Sequence, residues 1–197
     1  MIAEAHARSP IYIPGSCSRC PALVANRRRI VQGYGPLEAR VLFVGEAPGY
    51  KGGDLTGVPF TRDRSGVRFQ QVLITLGLSD ETDPRVEHPR LHCFVTNVVR
   101  CNPPSNRAPS RVEVDNCMPY LWQELELLRP QIVVPIGAVA ARAIFLRLLD
   151  RSPPSMIQAH AHVFHGDGVI IVPMRHPARS SNHELVRFVA VMRPLLR

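Results

Sequence analysis

Arg40-Val41-Leu42-Phe43-Val44-Gly45-Glu46-Ala47-Pro48-Gly49 joins an unbroken apolar run to a turn rich in Gly and Pro. Val41 to Val44 are all bulky and apolar, with no polar alternation. A strand covered on both faces of a parallel sheet reads this way. Residues 93–99, 131–137 and 168–174 repeat the pattern. Helical spacing fills the gaps: residues 65–76 set Val67, Phe69, Val72, Leu73 and Leu76 on one side. Residues 110–128 open with Ser110-Arg111-Val112-Glu113, a capping box in which hydroxyl and carboxylate each satisfy a free terminal amide. Further helices are expected at 138–149 and 183–196, and one at 18–30 carries two thiols on its opening turn.

Strand and helix alternating in this order predict an α/β fold: a three-layer α/β/α sandwich with a central, mainly parallel four-stranded sheet and right-handed crossovers. Ligands of such sheets sit beyond the carboxyl ends of the strands. Chemistry is therefore sought at residues 45–49, 97–106, 137–138 and 175–178.

The 197 residues, 45% of them hydrophobic, suffice for one well-buried domain over 1–197. Residues 1–15 are expected to form a flexible N-terminal segment. No stretch approaches the roughly twenty apolar residues of a membrane span, and residues 1–9 lack the apolar run of a secretory signal. A cytoplasmic location is expected, and no membrane partner. The net charge is +8 and Lys51 is the only lysine, so the positive charge is almost entirely arginine. Arginine suits bidentate phosphate contact, and a pI near 9.9 is the electrostatic footprint of a nucleic-acid binder. A general preference for Arg over Lys would explain the ratio but not the net charge.

Cys17-Ser18-Arg19-Cys20-Pro21 places two thiols three positions apart, and Cys101 and Cys117 follow with fifteen residues between them. Such a close pair is poorly placed to form a disulfide and well placed to serve one metal centre. Four thiolates suit either tetrahedral zinc or an iron–sulfur cluster. The uneven second half differs from a zinc ribbon's repeated pair, and Pro after the second thiol recurs in bacterial cluster runs. Both features favour iron–sulfur. Cys93, inside an apolar run, reads as a core residue.

Taken together, these segments resemble the iron–sulfur branches of the uracil-DNA glycosylase superfamily, known as families four and five. Gly45-Glu46-Ala47-Pro48-Gly49 is similar to the first motif of family four, and Gly57-Val58-Pro59-Phe60 follows it. Thr96-Asn97-Val98-Val99-Arg100-Cys101-Asn102-Pro103-Pro104-Ser105-Asn106-Arg107 resembles the segment from the base-reading strand to the third cluster ligand. Arg175-His176-Pro177-Ala178 looks like the late active-site motif. Residues 52–66 look closer to family five, so the chain reads as an intermediate or separate branch.

The resemblance implies a monofunctional DNA-repair glycosylase that flips uracil out of DNA and hydrolyses its N-glycosidic bond, leaving an abasic site. Its partner would be single- or double-stranded uracil-containing DNA, bound by a monomer near the nucleoid of a bacterium or archaeon. Cys17, Cys20, Cys101 and Cys117 would hold a 4Fe–4S cluster. Asn97 would read the uracil edge, and Phe60 would stack on the base. Gly45, Ala47 and Tyr50 would shape the pocket, with Tyr50 placed to block a 5-methyl group. His176 would donate to uracil O2. Asp63 is preferred over Glu46 as the acceptor for the attacking water. Arg179, Ser180 and Ser181 would enter the minor groove, and Arg100, Arg107 and Arg111 would hold DNA backbone. Lys51 reads as an exposed loop residue near phosphate. The alternatives are a non-catalytic or covalently trapping lesion binder of the same fold, or an electron-transfer iron–sulfur protein.

Overall fold

The computed structural model describes residues 11–197. The fold is α/β, with a mostly parallel sheet between two helical layers. The elements are α1 (Pro21–Asn26), β1 (Val41–Gly45), α2 (Gly53–Thr56), α3 (Arg64–Leu76), β2 (Phe94–Asn97), α4 (Arg111–Leu128), β3 (Ile132–Pro135), α5 (Ala138–Leu148), α6 (Met156–Ala159), β4 (Phe164–His165), β5 (Ile170–Ile171) and α7 (Asn182–Leu195). Sheet order is β2-β1-β3-β5-β4. All pairings are parallel except that of β4 with β5.

The apolar runs became strands because both their faces are covered. Val41, Phe43 and Val95 pack with Phe69 and Leu73 of α3 and Phe188 and Met192 of α7. Leu42, Val44 and Phe94 point the other way, toward Leu23 of α1, Leu121 of α4 and Ile144 and Phe145 of α5. The alternation of the pleat thus distributes one continuous apolar sequence between two cores.

Three expectations are corrected. The sheet has five strands rather than four. The extra strand β4 is a two-residue edge that folds back on β5 through Gly166-Asp167-Gly168, with Gly168 at φ 67°. Two residues carry no readable period. The helix expected over 18–30 is only Pro21–Asn26: Pro21 starts it, and Arg27 leaves in an extended conformation. Cys20 is therefore its N-cap residue and Cys17 precedes the helix, so neither thiol lies within it.

Of the segment 1–15, residues 1–10 lie outside the described residues. Ile13 is buried, and Gln32 pairs with both its backbone N–H (3.2 Å) and its carbonyl (2.9 Å). Among the described residues, no helix is long and apolar enough to cross a membrane.

Candidate active site

Parallel register brings the first two motifs together: Gly45, the last residue of β1, lies opposite Asn97, the last of β2. Beyond these ends opens a cleft of about 550 Å³. The β1 loop supplies Glu46 to Lys51 to its wall, the loop before α3 supplies Phe60 and Asp63, β2 supplies Asn97, and the segment after β5 supplies His176 and Arg179. The loops expected to carry chemistry therefore converge.

Asn97 is 2% exposed, and its Nδ2 has no hydrogen-bond partner. A buried amide left in that state costs about 1–3 kcal/mol, so it is poised for a ligand. Gly45 lies directly beneath. A side-chain carbon there would collide with Asn97 Oδ1 and the Phe60 ring. Phe60 adopts φ 52° and Arg62 φ 68°, left-handed conformations that are rare for such residues and cluster at functional sites. Gln70 Nε2 donates to the Phe60 carbonyl at 3.1 Å. The ring rests 4.7 Å from that of Phe69 and 6.3 Å from His176, centroid to centroid. One face of it is supported by the core while its residue borders the cleft.

Asp63 is the N-cap of α3. Its Oδ1 accepts from Ser65 Oγ (2.6 Å) and Gly66 N (2.8 Å). Its Oδ2 faces Gly49 and Gly52, so closely that a Cβ on Gly49 would stand 2.7 Å away. Burial raises the Glu46 pKa, while Arg179 draws it down. Burial pushes His176 below the usual imidazole value; Arg179 lowers it further and Asp63 acts in the opposite sense. A neutral imidazole keeps one N–H donor.

The remaining rim residues differ in their freedom. Arg179 is exposed. Ser180 is buried, and its hydroxyl donates to the carbonyls of Arg175 (3.4 Å) and His176 (3.2 Å). Ser181 caps α7 in a capping box with Glu184. Both serines thus hold the loop that presents Arg179. Arg107 is gripped by Glu113 at 2.7 and 2.8 Å. Arg100 is corrected: at 1% exposure it forms a buried pair with Glu124 and cannot reach DNA. Arg111 is exposed, 3.8 Å from Asp115. Tyr50 lines the lip, its ring 4.3 Å beneath the Arg28 guanidinium, and Lys51 is exposed. Asn102 and Asn106 also border the cleft. Their types gave no signal, since asparagines in a Pro-rich loop read as turn residues.

A second group gathers behind the cleft. Burial raises Cys101 to about 11, opposed by an Arg27 hydrogen bond and charge and reinforced by the nearby Cys117 and Cys17. Cys117 is raised by burial first and, more weakly, by Cys20 and Cys17. The four predicted thiols therefore share one neighbourhood. Arg27 Nη1 lies 3.3 Å from Cys101 Sγ and Asn116 Nδ2 3.4 Å from Cys20 Sγ, both as donors. Among the described residues, no three His, Cys, Asp or Glu side chains are arranged to hold a metal ion. Cys93 lies fully buried in the other core, as expected of a packing residue.

The chain is similar to known proteins. A type-5 uracil-DNA glycosylase from Pyrobaculum aerophilum is 35% identical over 181 residues, covering 83% of this chain and 78% of that protein. A type-4 uracil-DNA glycosylase from Archaeoglobus fulgidus is 34% identical over 167 residues, covering 83% and 77%. One from Thermotoga maritima, also type 4, is 32% identical over 177 residues, covering 88% and 83%. Similarity of the same order to both types accords with the mixed motifs. The model of the Uracil DNA glycosylase superfamily matches residues 32–196, and the chain belongs to that family.

Proposed function

We propose that this protein is a monofunctional DNA-repair hydrolase that removes uracil from DNA by cleaving its N-glycosidic bond. The observation that carries the reading is the buried, unpartnered Asn97 amide at the floor of the cleft. A base inside a duplex is out of reach, so the nucleotide is flipped at a cost of a few kcal/mol. Stacking on Phe60, worth about 1–3 kcal/mol, offsets much of this. Asn97 Nδ2 donates to uracil O4 and Oδ1 accepts from N3–H. Cytosine presents the reverse pattern and leaves those buried groups unpaired.

The C1′–N1 bond breaks, and its electron pair leaves with uracil as an anion spread over N1 and O2. The neutral His176 donates to O2 as that charge grows, a contribution typically worth about 10²–10³ in rate. Water bonds to C1′ and passes its proton to Asp63 Oδ2, the oxygen not engaged in capping α3. Arg179 and the rim hold the strand as an abasic site is left. Lys51 is exposed, without the desolvation that would make it a nucleophile, so no strand cleavage follows.

By donor chemistry Cys17, Cys20, Cys101 and Cys117 suit a 4Fe–4S cluster, whose several irons call for sulfurs set wider apart than a single ion does: the donor set is all sulfur, and N–H donors stand at two of the sulfurs. Bound there, the cluster supplies cross-links between the α1 segment, the loop after β2 and α4. Iron of about four per chain with absorbance at about 400 nm is the signature; zinc alone would refute it.

The test is incubation with oligonucleotides carrying one uracil, followed by alkali and a gel. Wild type converts the uracil strand to an alkali-labile site, and Asn97→Asp slows single turnover about a hundredfold or more. Tight binding without conversion would identify a lesion-binding protein instead. A borohydride-trapped adduct would overturn the monofunctional assignment.

A further inference from the structure

Asn26 is the last residue of α1, and its Nδ2 donates to the backbone oxygen (3.0 Å) and Oδ1 (2.9 Å) of Asn102. Asn102 follows Cys101 in sequence and is 1% exposed. Its Nδ2 donates twice more, to Pro48 O and to Asn106 Oδ1, both at 2.8 Å. The same Asn106 Oδ1 accepts the Tyr50 backbone N–H at 2.8 Å. Both hydrogens of the Asn102 amide and both lone pairs of Asn106 Oδ1 are thus in use. Ser105 and Asn106 adopt φ 56° and 52°, left-handed values that are unfavourable for a serine and turn the Asn106 side chain back toward the loop.

The segment held this way, Pro48-Gly49-Tyr50, is a wall of the cleft, and its Gly49 faces Asp63 Oδ2. The chain of amides runs without a break from the thiol-bearing lobe to the wall beside the water-accepting carboxylate. We infer that Asn102 and Asn106 are positioning residues that set the place of the 48–50 wall from the fold of the thiol lobe, so that the geometry at Asp63 depends on that lobe. This rests on the glycosylase reading for its catalytic consequence only.

Hydrogen exchange at the Tyr50 amide and single-turnover uracil excision at saturating DNA test it together. Asn102→Asp keeps the shape and the acceptor for Asn26 but loses both donations, setting a carboxylate against two oxygens. Tyr50 exchange is expected to quicken about tenfold and excision to fall by a similar factor, the scale of one or two lost hydrogen bonds. Asn106→Ala, at an exposed position, should behave alike. Asn106→Asp retains the accepting oxygen and should stay within about twofold of wild type on both measures. Wild-type Tyr50 exchange in Asn102→Asp, or equal behaviour of Asn106→Asp and Asn106→Ala, overturns the inference. If wild type leaves uracil in place, the glycosylase reading falls, while Tyr50 exchange still decides the positioning role.

Discussion

At the scale of single residues, the two carboxylates of the cleft are held in different ways. Asp63 has one oxygen fixed by Ser65 and Gly66, which orients the other toward the β1 loop. Glu46 has no such anchor, and burial favours its protonated form. A base must be held in place toward its water, so Asp63→Asn should lower single-turnover excision about 10²–10³-fold and Glu46→Gln about tenfold or less. Equal, mild losses measured side by side would show that neither carboxylate is the water acceptor. The family motifs singled out Asn97, Phe60, Asp63 and His176, and all four line one cleft; of these only Asn97 ends a strand. It hid the burial of Arg100, whose partner Glu124 lies far along the chain. It also hid the inward hydroxyl of Ser180.

At the scale of elements, α6, the segment after β5 and α7 meet at His160, which is 2% exposed. Its Nδ1 accepts the Arg175 N–H at 3.1 Å, so Nε2 carries the proton and donates to Glu184 O at 2.9 Å. The Arg175 side chain is paired with the Glu184 carboxylate. Arg175, the residue preceding His176, is therefore tied to α7 through a neutral imidazole. Burial lowers the His160 pKa from its ordinary 6.5, Glu184 opposes this, and Arg187 and Arg175 add to it. The unfolded chain thus binds protons more readily than the folded one below about pH 6.5, and stability falls as pH drops through that window. Glu184, whose pKa is lowered to about 2 chiefly by the Ser181 amide and the Arg175 side chain, extends the loss below its ordinary range near 4.5. Melting temperature should decline from pH about 6.5 to 5, and His160→Gln should flatten that slope while lowering stability at pH 7. A pH-independent wild-type melting temperature over this window would contradict the assignment. The Ser110–Glu113 capping box was readable from four adjacent residues. The Ser181–Glu184 box is equally local, at a residue that the family resemblance places at the DNA-facing tip.

At the scale of the molecule, the charge of +8 is unevenly free. Arg100 is buried against Glu124, and Arg107 is clasped by Glu113, whereas Arg179 stands exposed at the cleft. Binding to uracil-free DNA should weaken steeply with salt, and Arg179→Gln should reduce the slope of log K against log salt by about 1. Arg107→Gln should change it less, because its charge is already compensated. Equal slopes for the two variants would refute this ranking. The sheet's architecture was readable because strands covered on both faces carry continuous apolar sequence. Its edge was not, since β4 is only two residues long and is placed by contacts distant in sequence, the Phe164 ring resting 4.9 Å from that of Phe145.

The missing side chain at residue 45 leaves the chamber floor with no tolerance for even one added carbon. Alanine at that position would press on Asn97 Oδ1 and the Phe60 ring together. On the proposed reading, one methyl group separates an enzyme that cuts from a protein that still lands on DNA but has nowhere to put a base.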